Sequence, residues 1–237
     1  MKTEKAEVRL NKYISDAGIC SRREADRLIE EGFVQVDGKV AEKGQKITNS
    51  QIVLVKGKKV TKEEEQIVLL VNKPVGIVCT EEKREKENII QFLNYPKRIT
   101  YAGRLDKESQ GLLLMTNDGD IINKMMRASN KHEKEYIVTV NKPIDSQFIK
   151  NMSKGVPILD TVTRKCKVEQ LNKFEFRIVL TQGLNRQIRR MCEYFGYKVI
   201  KLERIRIMNL KLGDLKIGTY RKATKKEINT LYKMLGD

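Results

Sequence analysis

The sequence predicts an α+β chain in two parts. A small domain of two helices and a hairpin precedes a larger one built on a mostly antiparallel mixed sheet. Three observations carry this. Apolar residues recur at helical spacing near the start, first as Leu10, Ile14 and Ala17, then as Ala25, Leu28 and Ile29. Further on, short segments are either wholly apolar or alternate apolar with polar, as strands do, with few helical stretches between them. Between the two regions, Lys56-Gly57-Lys58-Lys59 and Thr61-Lys62-Glu63-Glu64-Glu65 form a charged, apolar-poor junction that reads as a linker. The domains are therefore drawn at 7–60 and 61–237.

Composition narrows the function. The 237 residues carry 48 Lys+Arg against 31 Asp+Glu, a net charge of +17 with the single His neutral. Such an excess points to a polyanion. Residues 1–62 hold 14 basic and 9 acidic side chains, residues 181–237 hold 14 and 5, and the middle holds 20 and 17. Two separated basic regions suit a ligand that spans more than one part of the molecule. With His132 as the only histidine, a multi-His metal site or a Ser-His-Asp relay has no supply of residues. Cys20, Cys79, Cys166 and Cys192 are widely spaced, which fits buried thiols in a reducing cytosol rather than a zinc or redox pair. MKTEKAEVRL lacks the apolar core of a signal peptide, and no run approaches the roughly 18 apolar residues of a membrane span. The expected setting is cytoplasmic, with a nucleic acid rather than a membrane as the partner.

The elements follow in order. Gly18 closes the first helix, and Ser21 opens SRRE, a capping box in which Glu24 reaches back to the Ser21 amide. Gly32 ends the second helix, and Asp37-Gly38 makes the hairpin turn between Val34–Val36 and Val40. Arg22, Arg23 and Arg27 occupy the polar side of the second helix. The segment from Arg9 to about Lys59, RLNKYISDAGICSRREADRLIEEGFVQVDGKV above all, resembles the small RNA-binding S-four domain. That resemblance implies contact with structured RNA through Arg22, Arg23, Arg27 and Lys39.

In the second part, Ile67–Val71, Leu112–Thr116, Glu135–Val140, Cys166–Gln170, Phe174–Leu180 and Lys198–Met208 read as strands, Ile89–Leu93 and Asp120–Met126 as helices. No nucleotide-binding glycine motif is present. Asp106 stands in a polar loop between Gly103 and Gly111, just before an apolar strand. It is either a loop carboxylate making a turn bond or a nucleophile or base held at a strand edge beside Arg104. QGLNRQIRRM opens a helix, with Asn185 as N-cap and Ile188, Met191, Cys192 and Phe195 on one apolar face. Arg186, Arg189 and Arg190 share an adjoining face, which suits phosphate binding or an arginine beside Asp106 that keeps it ionised.

GRLDKESQGLL, KEYIV, QGLNRQIRRM and NKPVG together resemble the pseudouridine synthases of the bacterial rRNA group, over essentially the whole chain. HEKEYIVTV, GVPILDTVTRKCKV and NRQIRRMCEYFGYKV are similar, more narrowly, to the large-subunit type F (RluF) branch. The resemblance implies isomerisation of a uridine in 23S rRNA with no metal or organic cofactor, by a chain acting as a monomer. It implies Asp106 as the catalytic carboxylate and Tyr136 as the aromatic packing on the target base. Arg189 is implied as the basic partner of Asp106, with Arg186 as second choice, and Arg104 as the side chain filling the space the flipped base leaves. Arg186, Arg190 and Lys73 of NKPVG are expected to contact RNA. A tRNA or 16S rRNA target, or a non-catalytic ribosome-assembly factor, are the alternatives.

Overall fold

The computed structural model describes residues 7–48, 50–61, 65–82, 84–127 and 131–236. Lys62–Glu64 of the expected linker lie outside the described residues. The chain divides into two compact units, one reaching to Gln66 and including Tyr95–Ile99 and Asn117–Gly119, the other taking in the remainder.

In the first unit, β1 (Val8–Arg9) leads into α1 (Leu10–Asp16), which buries Leu10 and Ile14. The chain turns at Gly18, whose φ of +78° is open to glycine at little cost. Ser21 Oγ accepts the Glu24 amide at 3.2 Å and caps α2 (Arg22–Glu30). Ala25, Leu28 and Ile29 give α2 its buried stripe. β2 (Val34–Val36) and β3 (Lys39–Val40) form the expected hairpin, with Asp37 at φ +50° and Gly38 at φ +80°. Both turn residues are left-handed, the geometry that matches strand twist. β4 (Lys46–Ile47) pairs with β1, while β5 (Val53–Val55) and β6 (Lys58–Lys59) extend the hairpin in the order β3-β2-β5-β6. The Asp37 carboxylate accepts the Ile52 amide and Gln51 Nε2, both at 2.8 Å, which ties the turn to β5.

The second unit begins with β7 (Val68–Lys73), buried along its whole length. α3 (Ile89–Leu93) and the short β8 (Thr100–Tyr101) follow, then β9 (Gln110–Thr116), α4 (Gly119–Met126) and β10 (Lys134–Val140). α5 (Ser146–Lys154) precedes a small hairpin of β11 (Pro157–Ile158) and β12 (Thr161–Val162). β13 (Lys167–Gln170), β14 (Glu175–Leu180), α6 (Gln187–Tyr194), β15 (Val199–Ile207), β16 (Leu210–Lys211), β17 (Tyr220–Lys222) and α7 (Lys225–Leu235) complete the unit. Among the described residues the main sheet has nine strands, in the order β13-β14-β10-β15-β9-β7-β17, with β8 on β9 and β16 on β15. Its pairs are antiparallel except β15 with β9, so the sheet is mixed and mostly antiparallel as expected. Val68, Leu70, Leu112, Leu114, Ile121, Met125, Ile207 and Leu231 meet in one core. No helix among the described residues is long and apolar enough to cross a membrane.

Besides the short strands β1, β4, β5, β6, β8, β11, β12, β16 and β17, which the sequence pattern does not reveal, three features differ from expectation. α5 was not anticipated; Asp145 caps it by accepting the Phe148 amide, and Phe148 and Met152 anchor it. α7 was not anticipated either, although Thr224-Lys225-Lys226-Glu227 is a capping box that the structure realises in both directions, at 3.2 and 2.8 Å. α6 begins at Gln187, and its N-cap is Arg186 in the left-handed region (φ +51°), not Asn185. Asn185 instead serves Arg190, whose Nε donates to the Asn185 carbonyl and Nη2 to its Oδ1.

Glu227 also grips Arg221 through two bonds of 2.7 and 2.8 Å. The Arg221 guanidinium, followed by the Thr224 donors, holds the Glu227 carboxyl down at about 2. A folded value below the unfolded one stabilises above the ordinary carboxylate range, and this support fades as pH falls toward about 2. Glu227→Ala is expected to cost about 1 kcal/mol at neutral pH, one cap and one exposed ion pair. Urea unfolding at stepped pH checks this: the gap from the unsubstituted chain closes on acidification.

Candidate active site

Register assembles the site before any loop is considered. Tyr136 on β10 lies opposite Arg204 on β15, Arg204 lies beside Gly111 on β9, and Gly111 faces Lys73 on β7. Residues in register on neighbouring strands point to the same face of a sheet. One row across four strands therefore presents a phenol, a guanidinium, a gap and an ammonium. The gap is obligatory. Gly111 has φ +106°, and a Cβ there would sit 2.7 Å from the Arg204 amide nitrogen and closer still to the Arg204 carbonyl oxygen. A register shift in β10 between Glu135 and Tyr136 re-aims the tyrosine at the start of that row.

Residues 103–109 form the loop beside this row. Gly103 enters it at φ +85°, the Ser109 amide closes a turn on the Asp106 carbonyl at 3.0 Å, and the Lys107 carbonyl accepts the Gly76 amide at 2.8 Å. Asp106 is half-buried, and among the described residues its carboxylate accepts no hydrogen bond and makes no ion pair. It opens onto a cavity of about 520 Å³, a volume suited to a nucleoside, whose wall includes Arg104, Asp106, Tyr136, Arg186, Arg189 and Arg204.

The electrostatics are dominated by cations. Lys73 is completely enclosed, and its ammonium donates to the Pro74 and Ile77 carbonyls at 2.8 and 2.7 Å. Burial pushes that ammonium down to about 8, helped by the Arg204 charge and opposed by Cys79 and Asp106. Lys134 is pushed down as well, by burial and then by Arg204. Arg186 binds Glu108 at 2.6 Å, and that bond lowers the Glu108 carboxyl. Such a site, with one unengaged carboxylate among fixed positive charges, suits attack by the carboxylate on an electron-poor carbon. No group of three or more His, Cys, Asp or Glu among the described residues has the arrangement to hold a metal ion.

Comparison with known proteins agrees with this geometry. The family model for RNA pseudouridylate synthase matches residues 67–194, and that for the S4 domain matches residues 8–53. The chain belongs to the RNA pseudouridine synthases. The dual-specificity RNA pseudouridine synthase RluF of Escherichia coli K12 is 56% identical over 230 residues, covering 96% of this chain and 79% of that protein. The ribosomal large subunit pseudouridine synthase B of Bacillus subtilis is 37% identical over 232 residues, covering 94% and 95%. A crystal structure of a pseudouridylate synthase superposes with a TM-score of 0.70 at 28% identity, covering 94% of this chain and 99% of that one. The protein is thus an RNA-modifying isomerase, with an S4 domain ahead of its pseudouridine synthase domain.

Within this synthase the structure distributes the expected residues unevenly. Asp106, Tyr136, Arg104, Arg186 and Arg189 all line the one cavity. Arg189, only 8% exposed, spends its guanidinium on the Glu108 carbonyl at 3.0 Å and, at longer range, on the Ser109 hydroxyl and Val199 carbonyl. It holds the far end of the Asp106 loop and makes no ion pair with Asp106 itself. Arg190 is occupied with Asn185, outside the cavity wall. Lys73 was expected to face RNA; it is instead wholly enclosed, its ammonium taken up by the Pro74 and Ile77 carbonyls, and is corrected to a buried cation within electrostatic reach of Asp106. Arg22, Arg23 and Arg27 are exposed on α2 in the other unit, Arg27 paired with Glu24 and Glu31.

The sequence reading missed His132 and Arg204. His132 lines the cavity and donates through Nε2 to the Lys124 carbonyl at 3.1 Å. Arg204 had a signal: it occupies an inward phase of an alternating strand, two residues after the buried Leu202. A charge at an apolar phase marks a site more often than a core.

Proposed function

We propose that this enzyme isomerises a uridine in 23S rRNA with Asp106 as its catalytic carboxylate, and that it consists of domains 7–60 and 61–237. The observation that supports it best is the pairing in one cavity of Asp106, whose carboxylate has no other engagement, with the buried Tyr136. The N1–C1′ bond breaks, the uracil turns, and a C5–C1′ bond forms. The proton leaving C5 is balanced by one gained at N1, so no redox partner is needed. Asp106 either attacks C1′ or assists a glycal. Tyr136 stacks on the base and receives its C5 proton. Arg104 fills the space the flipped base vacates, and the loss of stacking, a few kcal/mol, is offset by aromatic stacking and phosphate contacts. Arg186 and Arg189 supply the positive field, with Arg189 acting as the basic group behind Asp106. Arg22, Arg23, Arg27 and Lys39 dock the structured RNA. We infer action in the cytoplasm, as a monomer, without a cofactor.

A second RNA substrate is supported by one specific observation: relatives 56% identical are named dual-specificity synthases. Purified enzyme incubated with unmodified 23S rRNA, 16S rRNA and tRNA, followed by pseudouridine mapping at single-nucleotide resolution, tests both readings. A new pseudouridine in 23S rRNA is expected, with a second in another RNA. No new pseudouridine in 23S rRNA overturns the first reading, and modification of 23S rRNA alone overturns the second.

A further inference from the structure

We propose that Arg204 is a positioning residue for Asp106, tying the start of its loop to strand β9 beyond it with one guanidinium. Arg204 Nε donates to the Leu112 carbonyl at 2.7 Å, and Nη1 donates to the Arg104 carbonyl at 3.3 Å. Those carbonyls stand two residues before Asp106 and six after it. The same side chain is 2% exposed and forms part of the cavity wall. Its backbone lies between Tyr136 on β10 and Gly111 on β9. One residue therefore sets the separation between the carboxylate and the tyrosine on the opposite strand.

The choice of arginine is otherwise hard to explain. Among the described residues no carboxylate pairs with Arg204, and its buried Nη2 has no partner. A buried cation without a counter-ion is costly, and a neutral donor would satisfy one of the two carbonyls at less expense. Burying it unpaired makes sense where a fork of fixed geometry and a fixed positive charge are both needed in a cavity that also holds the Asp106 carboxylate. Gly111 belongs to the same device, since only glycine lets β15 approach closely enough for the fork to reach both carbonyls.

The inference rests on the proposed role of Asp106, and the test separates the two. Arg204→Met, Arg204→Gln and Arg204→Lys in the full chain are compared with the unsubstituted enzyme and with Asp106→Asn on one RNA that the unsubstituted enzyme modifies. RNA affinity, single-turnover rate and melting temperature are measured for each. An active unsubstituted enzyme with inactive Asp106→Asn upholds the Asp106 role independently of Arg204. Arg204→Met is expected to bind RNA within about twofold of normal and to turn over about a hundredfold slower, the penalty of a displacement near 1 Å. Arg204→Lys recovers part of that rate by keeping the charge, and Arg204→Gln recovers less. If Arg204→Met fails to fold, the other two variants carry the comparison. Rates within about threefold of normal in the folded variants overturn the proposal, as do rate losses that track RNA affinity or folded fraction alone.

Discussion

Asp106→Asn is expected to lower the single-turnover rate of pseudouridine formation by about a thousandfold or more, with RNA affinity within about twofold of normal. The substitution keeps the size of the side chain and removes its negative charge. No hydrogen bond or ion pair among the described residues depends on that charge, and the turn at Asp106 is closed by its backbone carbonyl; the carboxylate acts only at longer range, favouring the charged form of the buried Lys73. The loop is fixed instead by Arg204, Arg189 and Gly76, which all bind backbone. The melting temperature of Asp106→Asn should therefore stay close to that of the unsubstituted chain, since the change removes no short-range contact. Separate measurement of binding, rate and melting distinguishes this outcome from a structural role, in which all three would fall together.

Gly111→Ala is the substitution with the largest expected effect on the fold. The new Cβ would overlap the backbone of Arg204, and a non-glycine residue at φ +106° is strained in any surroundings. Relief requires β15 to move away from β9 at the parallel pair of the sheet, so packing loss adds to backbone strain. The cost is expected to be about 3 kcal/mol or more, a fall of roughly 6–12 °C in melting temperature for a domain of this size. Gly183→Ala is the control: it has an open environment and no positive φ, and should stay within about 0.5 kcal/mol. Thermal unfolding of the two variants side by side checks the difference. Whatever Gly111→Ala protein remains folded should also be slow, because the shift carries Arg204 away from the loop.

How far the sequence discloses this protein depends on the range of the interaction concerned. α1, α2 and the Asp37-Gly38 hairpin were legible because stripes, caps and turn residues act over a few positions. Six strands of the larger unit were legible from alternation or apolar runs, within a residue or two at their ends, whereas the short β8, β11, β12, β16 and β17 carry too few residues to show a pattern. That Asp106 and Tyr136 would share one cavity could be expected only through their motifs, since nothing local distinguishes a loop aspartate or an inward tyrosine. Lys73 and Arg204 were misread or missed because their environment comes from strand register. Lys73 is three strands away from Tyr136 along one row, a relation invisible in sequence order. The start of α6 was misjudged because Asn185 is the better N-cap by propensity, yet Arg186 takes the left-handed position and Asn185 is drawn to Arg190. α7 was overlooked despite its capping box, its apolar Ile228, Leu231 and Leu235 being diluted by charged neighbours.

The most direct measurement is a crystal structure of Asp106→Asn bound to an RNA that the unsubstituted enzyme modifies. The account predicts one uridine flipped into the cavity, its C1′ about 3.5 Å from the side chain at position 106 and its base stacked on Tyr136. A target uridine held elsewhere, or with its C1′ turned away from position 106, would contradict it.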